Sequence, residues 1–437
     1  RVSASVTSTA GNVSLRAGDA VAIDAAVSAE QGDISVTAGF ADSDGLVSAI
    51  ATGASGILTA QSIALAAPGD IGSVAQAVHT NSAALSAAGG GVLSIDNRFD
   101  GLTLIQGLLS NGELRFNQSA ANATGLQLNG QVASQGGSIA LGTTGDIDLR
   151  GSLISSGGDV QLSNEQLLNS GSIDAGAGLL NIMLGISGSG GDSTLGTVSS
   201  AQRIQLSGGV GDDGLTINPQ STLRLGVANT VLSNNELQIS GVERLQLRGD
   251  NRGLVGSDSS TVYTVMTGSD RLRVQGVQLQ NVADLIAGSG SDSLLLEGNA
   301  ILSGSVNMGG GADAVTLNSG SRIDGNLTLG AGADALSVQA GGEVLGLVDG
   351  GADADSLIAY SLNNDWTLSG DGEGSLSGDG LSALNFTGLE TLQGGAGVDR
   401  IELQAGARLS GVFDSGAGDD IWTLLSDDID LVGGLFG

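Results

Sequence analysis

The amino-acid sequence predicts an all-β protein, an elongated parallel β-helix (β-solenoid) with about 21 residues per coil and longer inserted loops or hairpins in its second half. Three observations predict this fold. A Gly-x-Gly-x-Asp turn recurs at a fixed interval, apolar residues recur in phase between the turns, and 75 glycines accompany only 2% aromatic residues. Because one coil cannot bury its own apolar side, like residues of successive coils are expected to stack and share a core.

The turns that define the period lie between residues 288 and 355. The turns end in four aspartates that follow one another at intervals of 21 residues: Asp292, Asp313, Asp334 and Asp355. The apolar positions between them repeat with the same interval, as in Leu294, Val315 and Leu336, in Leu296, Leu317 and Val338, and in Leu302, Ile323 and Val344. These sets predict columns of buried side chains.

Two domains of one continuous solenoid are predicted, at residues 1–187 and 188–437. In the first, Asn12–Leu15 is answered by Asp33–Val36, and Ser138–Leu141 by Asp159–Leu162. Each segment is a short alternating strand after a glycine, and the spacing exceeds that of antiparallel hairpins. The second domain carries acidic coils with excursions at about 222–287 and 356–394, either inserted loops or hairpins or wider structural coils. The chain is expected to be part of a larger protein.

Composition excludes several functions. All 15 cations are arginines and stand against 46 acids, for a formal charge of −31. Such a chain is expected to repel nucleic acid and anionic membranes, and no apolar run is long enough to span a bilayer. Cysteine is absent and His79 is the only histidine, which argues against thiolate, zinc and Ser-His-Asp chemistry. Of the acids, 15 precede residue 188 and 31 follow, so the second half is the expected cation binder.

The coils of the first half resemble filamentous-haemagglutinin-like exoproteins, which are secreted by two-partner systems. In the second half, the phrase from Leu389 to Asp399 resembles the Gly/Asp-rich repeats of large bacterial surface adhesins of the biofilm matrix, and partly the calcium-binding RTX turns. The resemblance implies export through an outer-membrane partner transporter, a location at the cell surface and in the extracellular matrix, and binding to matrix exopolysaccharide or to other copies of the chain. The RTX repeat has nine residues, so its calcium arrangement does not carry over.

The turn aspartates are the predicted metal site, with Ca²⁺ as a structural ion. Stacked one per coil, about 4.8 Å apart, two bare carboxylates repel by about 3.5 kcal/mol at an effective dielectric of 20. Either Ca²⁺ relieves this repulsion, or each carboxylate accepts N–H bonds from its own turn and is hydrated at an exposed corner. The candidate ligands are Asp213, Asp292, Asp313, Asp334, Asp353, Asp355, Asp399, Asp419 and Asp420.

Two further sets of residues are candidates for recognition. Arg248-Gly249-Asp250 is a possible receptor tripeptide, or a chance triplet in a chain rich in Gly and Asp. Tyr360, Trp366 and Trp422 are possible platforms for sugar rings, whereas a passive spacer would bury them. Many β-helices are polysaccharide-processing enzymes, but the scattered acids indicate no convergent catalytic pair. A non-enzymatic adhesin is therefore expected, with a spacer that presents an adhesive tip as the alternative.

Overall fold

A computed structural model describes residues 1–437 except 43–47, 187, 189, 202, 210, 218–222, 226–230, 234–236, 249–251, 361–362, 379, 427–429, 432–434 and 437. The described residues form strands and turns and contain no helix, so none forms a helix long and apolar enough to cross a membrane. Most strand pairs are parallel. The predicted all-β fold of the parallel β-helix class is confirmed.

The strands follow one another closely along the chain. Strands β1 to β26 are Val6–Ser8, Val13–Arg16, Val21–Ile23, Val27–Thr37, Ile50–Thr52, Leu58–Ala67, Val78–Gly89, Leu93–Asn97, Leu102–Ser110, Leu114–Gln118, Gly125–Leu128, Gln131–Ser134, Ile139–Thr143, Asp146–Leu149, Ser152–Ser155, Val160–Ser163, Leu167–Asn169, Ser172–Asp174, Leu179–Met183, Asp192–Leu195, Thr197–Ser200, Arg203–Ser207, Gly214–Ile217, Leu223–Leu225, Val231–Ser233 and Leu237–Ser240. Strands β27 to β53 are Arg244–Leu247, Gly253–Val255, Val262–Val265, Gly268–Ser269, Arg271–Val274, Val277–Gln280, Asp284–Ile286, Ser293–Leu296, Ala300–Leu302, Val306–Asn307, Ala314–Leu317, Arg322–Ile323, Leu327–Ala331, Ala335–Val338, Glu343–Val344, Leu347–Ala352, Ser356–Ala359, Asn364–Leu368, Gly374–Gly378, Leu381–Thr387, Thr391–Gln393, Arg400–Leu403, Arg408–Leu409, Phe413–Asp414, Ile421–Leu424, Asp430–Leu431 and Leu435–Phe436.

The chain forms two compact units. The first comprises residues 1–217 and 235–242, and the second comprises residues 218–234 and 243–437. In the first unit β2 pairs in parallel with β4, and β13 with β16. The paired residues include Val13 with Ile34 and Ile139 with Val160, as the sequence predicted. Their side chains alternate between the core and the outer face, as half-buried strands require.

In the second unit the strands β34, β37, β40 and β43 pair in succession, all parallel. Leu294 lies over Val315, which lies over Leu336 and then Leu357, and all four are buried. The register here is 21 residues, which confirms the predicted apolar columns. It is not constant along the chain, because Leu114 pairs with Ile139, 25 residues later.

Both excursions of the second half contain antiparallel hairpins. Strands β29, β31 and β32 form one antiparallel set, and β44, β45 and β46 form another. Each set is joined to the stack at both sides. Strand β32 pairs in parallel with β27 and β29 with β34, while β46 pairs with β42 and β44 with β48. Each excursion therefore contains a hairpin set built into the main sheet, and the first also contains β27 and β28, which pair in parallel with β32 and β33, respectively.

Candidate functional site: stacked turn aspartates

The aspartates that end the Gly-rich turns lie directly before strands of the second unit. Asp292 precedes β34, Asp313 precedes β37, Asp334 precedes β40 and Asp355 precedes β43. Because these four strands pair in parallel register, the four side chains form one line, with neighbouring strands about 4.8 Å apart. We call these four residues the first column.

Hydrogen bonds between coils connect the first column. The backbone N–H of Asp292 donates to Oδ1 of Asp313 at 2.7 Å, that of Asp313 to Oδ1 of Asp334 at 2.7 Å, and that of Asp334 to Oδ1 of Asp355 at 2.9 Å. One of the two alternatives that the sequence left open was that each carboxylate accepts N–H bonds from its own turn. Backbone N–H groups of the turn instead pair with carbonyls of adjacent coils, as when the Gly311 N–H donates to the carbonyl of Ala331 at 2.7 Å. One oxygen of each carboxylate is thus a structural acceptor for a neighbouring coil.

Residues that the sequence analysis did not single out complete the first column at both ends. The N–H of Thr261 donates to Oδ1 of Asp292 at 2.7 Å, and the N–H of Asp355 donates to Oε2 of Glu390 at 2.9 Å. These partners are 31 and 35 residues apart, because a hairpin set intervenes each time. Glu390 lies in the segment Phe386–Leu392, which is similar to Ile239–Leu245 and Leu279–Leu285, and this similarity was the available signal.

A second column follows the second hairpin set. Oδ1 of Asp399 accepts both the backbone N–H of Asn364 at 2.7 Å and its side-chain Nδ2 at 2.9 Å. The N–H of Asp399 in turn donates to Oδ1 of Asp420 at 3.0 Å. An uncharged residue, Asn364, thus fills the end position of this column and donates to its first aspartate through both nitrogens.

The first column is buried. Its four residues are at most 2% exposed, so the expectation of hydration at an exposed corner is wrong for them. In each, Oδ2 is buried without a hydrogen-bond partner. A buried carboxylate oxygen with no donor destabilises the ionised form of the group.

Burial accordingly favours the protonated form. The pKa of Asp313 and the pKa of Asp355 are both raised to about 6; loss of solvent is the largest cause, neighbouring carboxylates add to it, and the N–H bonds oppose it. The neighbours of Asp355 are Asp334, Glu390 and Asp353. Burial also raises the pKa of Asp292 and Asp334. Near Asp292, burial also raises the pKa of the Tyr263 hydroxyl, which donates to the carbonyl of Ala287 at 2.9 Å.

The other predicted ligands occupy different environments. Asp213, in the first unit, is buried, and its Oδ2 accepts the N–H of Gly209 at 2.9 Å. Asp399 is buried, and its Oδ2 accepts the N–H of Gly395 at 3.0 Å. Asp420 is half-buried, while Asp353 and Asp419 are exposed. The nine candidates are therefore not one site.

The geometry does not fit a calcium site in the first column. Calcium takes about six to eight oxygen ligands, and within the described chain no group of three or more Asp, Glu or His side chains converges to hold a metal ion. In the first column one oxygen of each carboxylate already accepts an N–H, and burial excludes the water that would complete a coordination shell. The hydrogen bonds favour a structural role for these residues, and calcium binding by the chain stays a prediction.

Acidification is expected to stabilise the folded chain. In the folded state the pKa of Asp313 and of Asp355 lies near 6, above the ordinary value of 3.8. Between these values the folded state binds more protons than the unfolded state, so the free energy of unfolding falls as pH rises. A pKa shift of one unit corresponds to about 1.4 kcal/mol. The column is therefore expected to change the free energy of unfolding between low and neutral pH by on the order of a few kcal/mol. The melting temperature should be several degrees higher near pH 4.5 than near pH 7.5.

The double variant Asp313→Asn/Asp355→Asn isolates this contribution. Relief of the net charge of −31 also stabilises the wild type in acid. The matched control is therefore Asp353→Asn/Asp419→Asn, which removes two exposed carboxylates. We expect the first variant to melt above wild type near pH 7.5 and to lose most of the pH dependence, because an amide oxygen can still accept the N–H and carries no charge that burial penalises. Equal pH dependence in both variants would contradict this prediction.

Because the first column does not fit calcium, it is expected to contribute no calcium-dependent rise in the melting temperature. A ligand that binds only the folded state stabilises it by RT ln(1 + [L]/Kd), so a bound ion must raise the midpoint. The measurement compares circular-dichroism melting curves in about 1 mM calcium and in excess chelator. A rise of more than about 2 °C with calcium, reversed by chelator, would instead establish an ion site.

The three candidate aromatic side chains differ in exposure. Trp366 is 1% exposed, between Phe386 and Phe413, with ring centroids 6.4 and 5.2 Å away. It offers no ring face to a sugar, so stacking does not fit its position. Trp422 is half-buried and meets Phe413 edge to face at 5.0 Å. Tyr360 is 54% exposed and stays a candidate for stacking.

The candidate receptor tripeptide is only partly described. Arg248 is exposed, directly after β27. Gly249 and Asp250 lie outside the described residues. A receptor role of this triplet stays a prediction.

Comparison with known proteins assigns no family to the chain. No protein-family model, no curated protein and no solved structure matches it. The resemblance to secreted bacterial adhesins thus depends on the coil and turn phrases of the sequence itself. The chain therefore has a fold of the parallel β-helix class, and no known family matches it.

Proposed function

We propose that this chain is a segment of an extracellular bacterial adhesin that promotes attachment between cells, or between cells and matrix, in a biofilm. Attachment occurs through matrix exopolysaccharide or through self-association, without enzymatic chemistry. In the full-length protein, an outer-membrane two-partner transporter exports the chain to the cell surface and matrix. Calcium is an optional structural ion in this proposal.

The stacking of the coils is the observation that carries the proposal. Residues 21 apart lie over one another in both units, as Val13 does with Ile34 and Leu294 with Val315. A stack of near-identical coils repeats its outer surface at every level, which suits binding to a repeating polymer. The coil and turn phrases connect that architecture to adhesins.

A passive spacer is the second candidate function. The burial of Trp366 supports it, because an aromatic side chain used for glycan recognition needs an exposed ring. A spacer would hold an adhesive region of the full-length protein away from the cell and bind no glycan itself.

Sedimentation of the purified chain with matrix exopolysaccharide separates the two functions. An adhesive segment is expected to pellet with the polysaccharide, or to aggregate beads that are coated with the segment itself. A spacer should stay in the supernatant and leave the beads dispersed. Beads coated with serum albumin are the control for nonspecific clumping. A chain that neither pellets nor aggregates beads would reject the adhesive function and leave the spacer.

A further inference from the structure

The cations of this acidic chain are concentrated in one short segment. Five of its 15 arginines fall within residues 244–273 of the second unit: Arg244, Arg248, Arg252, Arg271 and Arg273. That segment covers β27 and most of the first hairpin set. A local excess of positive charge in a chain of net charge −31 requires an explanation.

The strand register brings three of these arginines to one face of the sheet. Arg244 of β27 is opposite Gln278 of β32, and Gln278 is opposite Arg273 of β31. Residues directly opposite one another in register share a face. The next row of the same face, two residues along, contains Gln246, Gln280 and Arg271. We call these six residues the Arg/Gln face.

This face points away from the core. The residues between its members, among them Leu245, Leu272 and Leu279, are fully buried on the other side of the strands. Arg271 and Arg273 are exposed, and the remaining members are half-buried. Within the described part of the chain, no carboxylate lies at ion-pairing distance from Arg271 or Arg273; one Nη of Arg271 donates to the carbonyl of Thr267 at 3.2 Å. Their charge is therefore directed to solvent.

The second hairpin set shows that the fold does not require these residues. It has the same connections, and its Leu347, Asn385, Ser375 and Thr367 follow one another in register. They match Arg244, Gln278, Arg273 and Thr264 of the first set. In this row the second set has uncharged side chains at the outer positions, and in the next row Asp349 and Thr387 match Gln246 and Gln280. The fold therefore does not require arginine at the matched positions.

We infer that the Arg/Gln face binds a carboxylate-bearing polysaccharide, a polymer of the uronic-acid class. This inference rests on the proposed adhesive function and specifies its ligand. A guanidinium pairs with a carboxylate through two parallel hydrogen bonds, and a glutamine amide both donates to and accepts from hydroxyl groups. Along β31 the two arginines are about 7 Å apart, and across the strands Arg244 and Arg273 are roughly 10 Å apart. The face thus offers charge and amide groups in rows to a chain that alternates carboxylates with hydroxyls.

The small size of the Arg/Gln face and its glutamines favour a glycan over two other anionic partners. Duplex DNA depends on many simultaneous phosphate contacts, and three arginines in a strongly acidic chain supply few. A second copy of this chain would bring its own charge of −31 against the acidic surface around the face. A linear polyuronate is also an anion and is repelled by the acidic surface around the face, but a single thin chain can contact the Arg/Gln face alone, and its hydroxyls use the glutamines.

The test compares wild-type chain with Arg271→Gln/Arg273→Gln. Both residues are exposed, so the variant is expected to fold, which melting curves verify. The matched control, Arg322→Gln/Arg400→Gln, removes two arginines that pair with Asp324 and Asp365 elsewhere in the same unit. Binding is measured by biolayer interferometry at low and physiological salt. The probes are polygalacturonate, neutral dextran of similar length, duplex DNA and the chain itself.

Polygalacturonate is expected to bind more tightly than dextran, DNA or a second copy, with an affinity that falls as salt rises. The Arg271→Gln/Arg273→Gln variant should bind it about tenfold or more weakly, while the control binds like wild type. Equal losses in the two variants, no preference for polygalacturonate over dextran, or equal or tighter binding of DNA or of a second copy would each overturn the inference. Sedimentation with matrix polysaccharide is measured separately. A chain that pellets with the matrix but does not bind polygalacturonate would therefore contradict this ligand and leave the proposed adhesive function intact.

Discussion

Replacing Gly330 by alanine is expected to lower the free energy of unfolding by about 3 kcal/mol or more. Gly330 has a φ of +113°, in a region that L-residues rarely adopt. A Cβ at this position would also lie 2.0 Å from the carbonyl oxygen of Gly309 in the preceding coil. Neither atom can move without separating the two coils, because the carbonyl oxygen belongs to the backbone and the Cβ is rigidly attached to it.

Gly310→Ala is the matched control for this substitution. Gly310 belongs to the equivalent turn one coil earlier, but a Cβ there would meet no atom closer than 3.7 Å. Chemical denaturation followed by circular dichroism compares the two variants. Gly310→Ala is expected to change stability by less than about 1 kcal/mol. Similar losses in both variants would show that the coil contact does not explain the glycine.

The same contact recurs along the turns and explains the repeated first glycine. A Cβ at Gly309 would lie 1.8 Å from the carbonyl oxygen of Gly288, and a Cβ at Gly351 would lie 1.9 Å from that of Gly330. The motif therefore combines two requirements of stacking. Its first glycine permits the close approach of the coils, and its aspartate supplies an acceptor between them.

Trp366→Ala is the second substitution with a large expected effect, a loss of about 3 to 5 kcal/mol. Trp366 lies in β44, inside the second hairpin set, and packs edge to face on Phe413 with ring centroids 5.2 Å apart. Its removal leaves a cavity beneath β45 and β46, where Leu376 and Leu384 are fully buried. We expect the hairpin set to loosen first, which amide hydrogen exchange would detect as lost protection in β44–β46.

Trp366→Phe is the control for the size of the side chain. The indole Nε1 of Trp366 has no hydrogen-bond partner, so phenylalanine removes volume without breaking a hydrogen bond. Its cost should be clearly smaller than that of alanine. If Trp366→Ala unfolds at the same denaturant concentration as wild type, the aromatic cluster does not hold the hairpin set in place.

The period of the sequence determined which residues stack. Leu294, Val315 and Leu336 recur at the register of the strands, and the fixed interval of the turns reflects the same spacing. Such a pattern is local and repeated, so each copy confirms the others. The parallel β-helix class follows from it without any knowledge of side-chain contacts.

Only the tertiary structure decided what the turn residues do. Periodicity places Asp313 above Asp292, but it does not show that the carboxylate is buried or that it accepts an N–H from the neighbouring coil. The same sequence pattern is compatible with turn side chains that point to solvent and with turn side chains that point into the stack. Which of the two occurs depends on how closely the glycines let the coils approach.

The sequence predicted excursions with loops or hairpins, or wider coils, at about 222–287 and 356–394, but the strand pairings of the hairpin sets could not be predicted, for a related reason. They interrupt the period, so Glu390 meets Asp355 and Asn364 meets Asp399 across 35 residues. The Arg/Gln face likewise exists only because antiparallel pairing sets Arg273 opposite Gln278. The sequence alone thus determined the repeating coil and its apolar columns, because these depend on one interval. The buried carboxylates and the charged face depend on pairings between distant residues, which only the folded chain defines.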